Sequence, residues 1–285
     1  MSGTDPVGAR EPDGVGADPA QAKVTAVAER LETYLYRYDA ERDHRAAFAY
    51  VYLRLTRSLA AALAEGQPAF GDPNWVADLS VALAERYFSA MDGIDGWLTT
   101  ARPHRPSHPG DLPHSVPRPW RDQYAASSVP RSYVLEDVLF SMMAHMSYDL
   151  PLALLDLDGR QGGESRIADF HRMNDVLAAC IDAVQSGLAT RYWRALAGLD
   201  NLFTQQDELL SNYGVRVARG MAWFNSDRLR DPLGSADAEG SIQRSTAGLI
   251  AEVRAPNDPK LRAALRVARW LIPARRTWPA PGTAV

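Results

Sequence analysis

The sequence predicts an all-α fold, a single bundle of about nine helices with no sheet. Three observations support this. Apolar residues recur at spacings of three and four through most of the chain. Glycine and proline interrupt those runs at helix-length intervals. No segment alternates apolar and polar residues, with β-branched enrichment, between two turn signals.

Residues 1–22 are rich in Gly, Pro, Asp and Ala without periodicity and are expected to be a disordered tail. Val24, Val27, Leu31 and Leu35 then mark one face of a first helix. His44 to Glu65 reads as a second, with Phe48, Tyr52, Leu55, Leu59 and Leu63 on one side and Gly66 at its end. Asp72-Pro73-Asn74 is a helix start, and the helix is expected to run to about Thr100. Residues 102–118 hold five prolines and read as a long loop. Further helices are expected at about 132–155, 165–188, 190–211, 213–230, 238–254 and 258–272, with a flexible tail over 274–285. The domain is taken as 23–273.

Composition excludes several function classes. A formal net charge of −4 gives no general attraction for nucleic acid. Cys180 is the only cysteine, so neither an intrachain disulfide nor a multi-thiolate zinc site can form. The first 22 residues contain no apolar run of signal-peptide type, and no stretch approaches the ~20 apolar residues of a membrane span. The protein is therefore expected to be cytoplasmic. Lys23 and Lys260 are the only lysines among 31 basic residues. Such a GC-rich coding bias motivates an expectation of specialised metabolism.

Polar chemistry concentrates in SYVLEDVLFSMMAHMSYDLPLALL, residues 132–155. From Val138 to Leu155 this helix is apolar on nearly every face, so protein must surround it. Yet Asp137, Ser141, His145 and Asp149 recur every four residues. A buried carboxylate costs several kcal/mol unless it is paired, protonated or metal-bound. Two readings stand: a structural network joining helices, or a His145–Asp149 acid–base pair beside a pocket. In the next helix Asn174 interrupts the face made by Ile167, Phe170, Leu177, Ile181 and Val184, and Asp169 reads as a helix cap. Arg219 and Trp223 sit among Val215, Ala218 and Ala222. That arginine is expected to neutralise Asp149, to bind an anionic substrate, or to lie on the surface over Trp223.

MAHMSYDLPLAL followed by DFHRMNDVL resembles an uncharacterised all-helical bacterial and fungal family, a domain of unknown function. Its pattern is Asn-Ala-His-Ile-Asn-x-Asp-Leu, then Asp-Phe-x-x-Ile-Asn, then a late Arg-x-x-Ala-Trp. His145, Asp149, Leu150, Asp169, Phe170, Asn174, Arg219, Ala222 and Trp223 fit it. Tyr52 and Thr56 in FAYVYLRLT, and the Asp72 segment before RYFSAMD, fit the family's amino-terminal half. Met143 and Ser147 stand where that pattern has its two asparagines. The resemblance implies the all-α fold, directs attention to His145 and Asp149, and implies no reaction.

Other signals are weaker. His104, His108 and His114 share the proline-rich loop with Asp111, and His145, Asp149 and Asp169 form a second conceivable metal set. Metal-dependent terpene cyclases are similar in length and helicity. NDVLAACID (Asn174 to Asp182) echoes their Asn-Asp metal motif without its hydroxyl, and Asp92 and Asp95 thinly echo their aspartate-rich one. No dinucleotide, Walker or nucleophile-elbow motif occurs, so no particular cofactor is indicated. The basic amphipathic stretch KLRAALRVARWLI is expected to dock on its own domain.

The leading expectation is an enzyme acting on a small, largely apolar molecule, with His145 and Asp149 catalytic. Asn174, Arg219, Trp223, Asp169 and Tyr52 would bind substrate. The alternatives are a non-catalytic carrier of a hydrophobic ligand or protein partner and, further off, a terpene-cyclase-like metalloenzyme.

Overall fold

A computed structural model describes residues 18–100, 109–128, 132–157, 163–192, 212–271, 276–280 and 283–285. Among these residues there is no strand. The helices are α1 (Pro19–Glu41), α2 (Arg45–Glu65), α3 (Pro73–Thr100), α4 (Arg118–Ser127), α5 (Val134–Asp156), α6 (Gly163–Tyr192), α7 (Asn212–Arg230), α8 (Ser235–Arg254) and α9 (Pro259–Leu271).

In α1 and α2 most of the apolar positions read from the sequence are buried. Val24, Val27, Leu31 and Leu35 of α1 are all buried, as are Phe48, Tyr52, Leu59 and Leu63 of α2. Gly66 ends α2 in the left-handed conformation that favours glycine. Asp72 Oδ1 accepts the Trp75 amide and so caps α3.

Four expectations change. Helix α1 starts at Pro19, inside the supposed tail, because Asp18 Oδ1 accepts the Ala20 amide and Ala20 is buried. The proline-rich stretch is in part a folded connection: Leu112 and Val116 are buried, and Pro117 and Pro119 frame the start of an unforeseen α4. The break foreseen near residue 189 does not exist, and α6 runs unbroken to Tyr192; the remainder of the helix expected at 190–211 lies outside the described residues. The helix α9 exposes Leu261, Val267 and Trp270 rather than docking them.

Within the stretch expected to be a tail, residues 276–278 make specific contacts with the helices. Arg276 Nη2 donates to Asp137 Oδ2 at 2.5 Å and also to Ser132 Oγ. The Thr277 amide bonds the Tyr192 carbonyl, and Trp278 packs edge-on against Tyr192. This segment thus supplies the counter-charge for Asp137, whose carboxyl burial pushes upward.

Two hydrophobic clusters make up most of the core. One joins α1, the first half of α2, the second halves of α3 and α6, and α4. The other joins the second half of α2, the first halves of α3 and α6, and the end of α5. Helices α2 and α6 therefore run antiparallel. Gly187 leaves room for the Tyr50 side chain between them, since a Cβ there would lie 2.0 Å from the Tyr50 hydroxyl and that ring would have to shift. Helix α5 threads between the clusters. Contrary to the sequence expectation, it is long and apolar enough for a membrane span, and 78% of the relevant window is buried inside the fold.

The Arg276–Asp137 pair yields a prediction. Arg276→Ala leaves a buried carboxylate without its partner and should lower unfolding stability by about 3 kcal/mol, measured by urea denaturation. An effect below ~0.5 kcal/mol would mean that the segment does not hold Asp137 in solution.

Candidate functional site

Pro151 shapes the centre of α5. A proline inside a helix gives no N–H, and its ring presses on the carbonyl four residues back, that of Ser147. Just before it the helix widens into one π turn, His145–Asp149, where the Leu150 amide donates to the His145 carbonyl.

Within that turn His145 Nδ1 lies 3.1 Å from Asp149 Oδ2. Trp120 Nε1, from α4, donates to the same oxygen at 2.9 Å. An ionised carboxylate only accepts, so Nδ1 carries the proton and Nε2 presents its lone pair. His145 and Asp149 are both buried. Burial pushes the Asp149 carboxyl upward, against the opposing hydrogen bonds from His145 and Trp120.

An aromatic box surrounds the imidazole. The rings of Tyr52 and Phe48 lie 4.6 and 5.6 Å from it, and those of Tyr87 and Trp120 lie 6.0 and 6.3 Å away. His145 Nε2 and the hydroxyls of Tyr52 and Tyr87 are buried without a hydrogen-bond partner. Each such orphan costs about 1–3 kcal/mol, so three together mark a place where stability is given up. Burial also pushes both phenols well up, which keeps them neutral O–H groups.

His145 and Tyr52 open onto a cavity with about 110 Å³ of space for the centres of water-sized molecules. Its walls come from both core clusters: Phe48, Val51, Val184 and Leu188 from one, Leu59, Leu79, Leu83 and Met173 from the other. Most of the lining is apolar, and Thr56, Ser80, Gln185 and Arg219 supply its other polar side chains.

Arg219 is 2% exposed, which overturns the surface reading. It also does not neutralise Asp149. It lies 4.0 Å over the Phe170 ring and donates to the Phe170 carbonyl at 3.1 Å, with Met173 Sδ at 3.6 Å. Burial without a carboxylate lowers it to about 9, so it remains a cation at neutral pH.

Three other residues singled out by sequence do not line the cavity. Asp169, placed in the second turn of α6, does not cap that helix. It accepts the Gly71 and Asp72 amides at 2.8 and 2.7 Å, and Arg172 at 2.7 Å, so it anchors the start of α3. Trp223 packs on Phe170 at 5.1 Å, and Asn174 is buried with Oδ1 unpartnered. Ile167, assigned to the apolar face, is 39% exposed. Conversely, Trp120 and Tyr87 went unnoticed in the sequence. The one signal for Trp120 was an aromatic in the first turn of a proline-started helix.

No group of three His, Cys, Asp or Glu side chains is arranged for a metal among the described residues. Asp169 is committed to the α3 start, while His104 and His108 lie outside the described residues. The terpene-cyclase echoes do not converge. Asp92 and Asp95 serve Tyr34, Arg37 and Arg45 on the α1–α3 side, and exposed Asp175 pairs with Arg216.

The raised Asp149 carboxyl has a signed consequence. The folded protein holds that proton more tightly than the unfolded chain, so stability from this group is present at low pH and is lost as pH rises past the unfolded value of about 4. Asp149→Asn should therefore gain stability relative to the wild type between pH 3 and pH 7, measured by urea unfolding at both. A pH-independent difference would contradict the burial argument.

A search of curated proteins and a search of solved structures both found no match. The model of a family of unknown function, DUF5995, matches residues 24–256, which include α2 to α8 and every residue of the site just described. The chain belongs to the DUF5995 family.

Proposed function

We propose that the protein is a small-molecule enzyme in which His145 performs acid–base chemistry on a largely apolar substrate held in the central cavity. One observation carries this reading: His145 lines an apolar cavity, its Nε2 is buried without a partner, and its Nδ1 is fixed by a buried carboxylate. A histidine serving only as a strut would have both nitrogens bonded, because an unmet nitrogen is a net cost.

In this reading Nε2 removes a proton from the substrate, or from a water attacking it. Asp149 holds the imidazole in the required tautomer and stabilises the imidazolium that forms. Trp120 holds the carboxylate in turn. The Tyr52 and Tyr87 hydroxyls donate to negative charge that develops beside the ring. Dry walls strengthen each of these interactions. Hydrolysis, elimination, isomerisation and cyclisation all use such a pair, and a place in specialised metabolism and a cytoplasmic setting are part of the proposal.

A second reading, a non-catalytic carrier of a hydrophobic ligand, is favoured by the apolar lining. The two part on His145. Untargeted metabolite comparison of strains carrying wild type and His145→Ala should reveal an accumulated substrate and a missing product. With the purified protein and that substrate, turnover should fall about 100- to 10,000-fold in His145→Ala and also drop in Asp149→Asn. A folded His145→Ala protein that leaves every metabolite unchanged ends the catalytic reading.

A further inference from the structure

Arg219 presents a problem that the acid–base reading leaves unsolved. A guanidinium is among the most costly groups to bury, and buried arginines are ordinarily matched with carboxylates. Among the described residues Arg219 has a carbonyl, a thioether and a ring face, but no carboxylate. Its Nε is without a partner, and its side chain lines the same cavity as His145. A cation held in this way lacks, among the described residues, the counter-charge that a buried guanidinium ordinarily has.

The positions of the two polar groups define the visitor further. His145 is boxed by Phe48, Tyr52, Tyr87 and Trp120, all of one core cluster. Arg219 rests on Phe170 and Met173, both of the other. Both side chains line one cavity, to which α2 and α6 contribute apolar residues.

We infer that the cavity selects an amphipathic carboxylate: its anionic group pairs with Arg219, its apolar body fills the cavity, and its reacting bond lies at His145. This deepens the acid–base reading and rests on it only for the last clause. The planar fork of the guanidinium suits a carboxylate, and both bonds of Arg219 use Nη2, which leaves the Nη1 and Nε donors unbonded among the described residues. The apolar remainder excludes a small hydrophilic anion, which would lose its hydration without gaining contacts. Arg219 is thereby a substrate-positioning residue.

Calorimetric titration of the purified full chain with octanoate, decanoate and 4-phenylbutyrate, each against its corresponding alcohol, tests the inference. At least one acid should bind the wild type tenfold or more tightly than its alcohol. Arg219→Met should abolish that preference, and Arg219→Lys should keep part of it. His145→Phe should retain it. Without ligand, Arg219→Met should melt at least ~3 °C higher than wild type, because an unpaired buried charge is gone. The inference is overturned if no acid binds, if acids and alcohols bind the wild type equally, or if Arg219→Met keeps the preference. The wild-type comparison decides the matter even if a variant does not fold. Failure here leaves the His145 chemistry standing, and unchanged metabolites in His145→Ala leave the anion site standing.

Discussion

The structure depends on the burial of a carboxylate. Asp149 sits in the middle of the most apolar helix, and its charge is tolerated because His145 and Trp120 both donate to one of its oxygens. Each donor comes at a structural cost. His145 reaches the carboxylate across a π turn placed beside Pro151, and Trp120 arrives on a short helix that the proline-rich connection must set down in the right place. The pair therefore links backbone geometry in α5 to the path of the chain between α3 and α4.

The two buried acids of α5 are met differently. Asp137 is satisfied by Arg276 and Ser132, and Ser141 bonds the Asp137 carbonyl, so that end of the polar stripe is structural. At the other end the bonding stops short: His145 Nε2 and two tyrosine hydroxyls find nothing within the chain. The fold pairs the acid at one end of the stripe and leaves the imidazole nitrogen at the other end open, on a residue that lines the cavity. Arg219 adds an unmatched cation to the same cavity.

The position of the cavity follows from the core. Two clusters meet along α2 and α6, and Met142 of α5 packs against both. Side chains on either side fill their own cluster, and the seam between them remains incompletely filled. A gap of this kind lowers packing energy, as the orphaned polar groups do. His145, Tyr52 and Arg219 bear both costs, which is the pattern of a binding or catalytic site rather than of a core optimised for stability.

Sequence alone determined the helical class, because the 3.6-residue period of apolar side chains is a local property that tertiary contacts did not override. It also located the His145–Asp149 pair, since spacing along one helix puts both groups on one side, and it marked Arg219 and Asn174 as polar residues in apolar company. The same reasoning could not separate residues that share a helix face but meet different neighbours. Asp169 proved to anchor the α3 start and Trp223 to pack away from the cavity, while Tyr87 and Trp120, distant in sequence, closed around the imidazole. Whether a buried polar atom has a partner depends on what the other helices bring to it. Only the tertiary structure decided that Asp137 is paired, that His145 Nε2 is not, and that Arg219 lines the cavity without a carboxylate partner among the described residues.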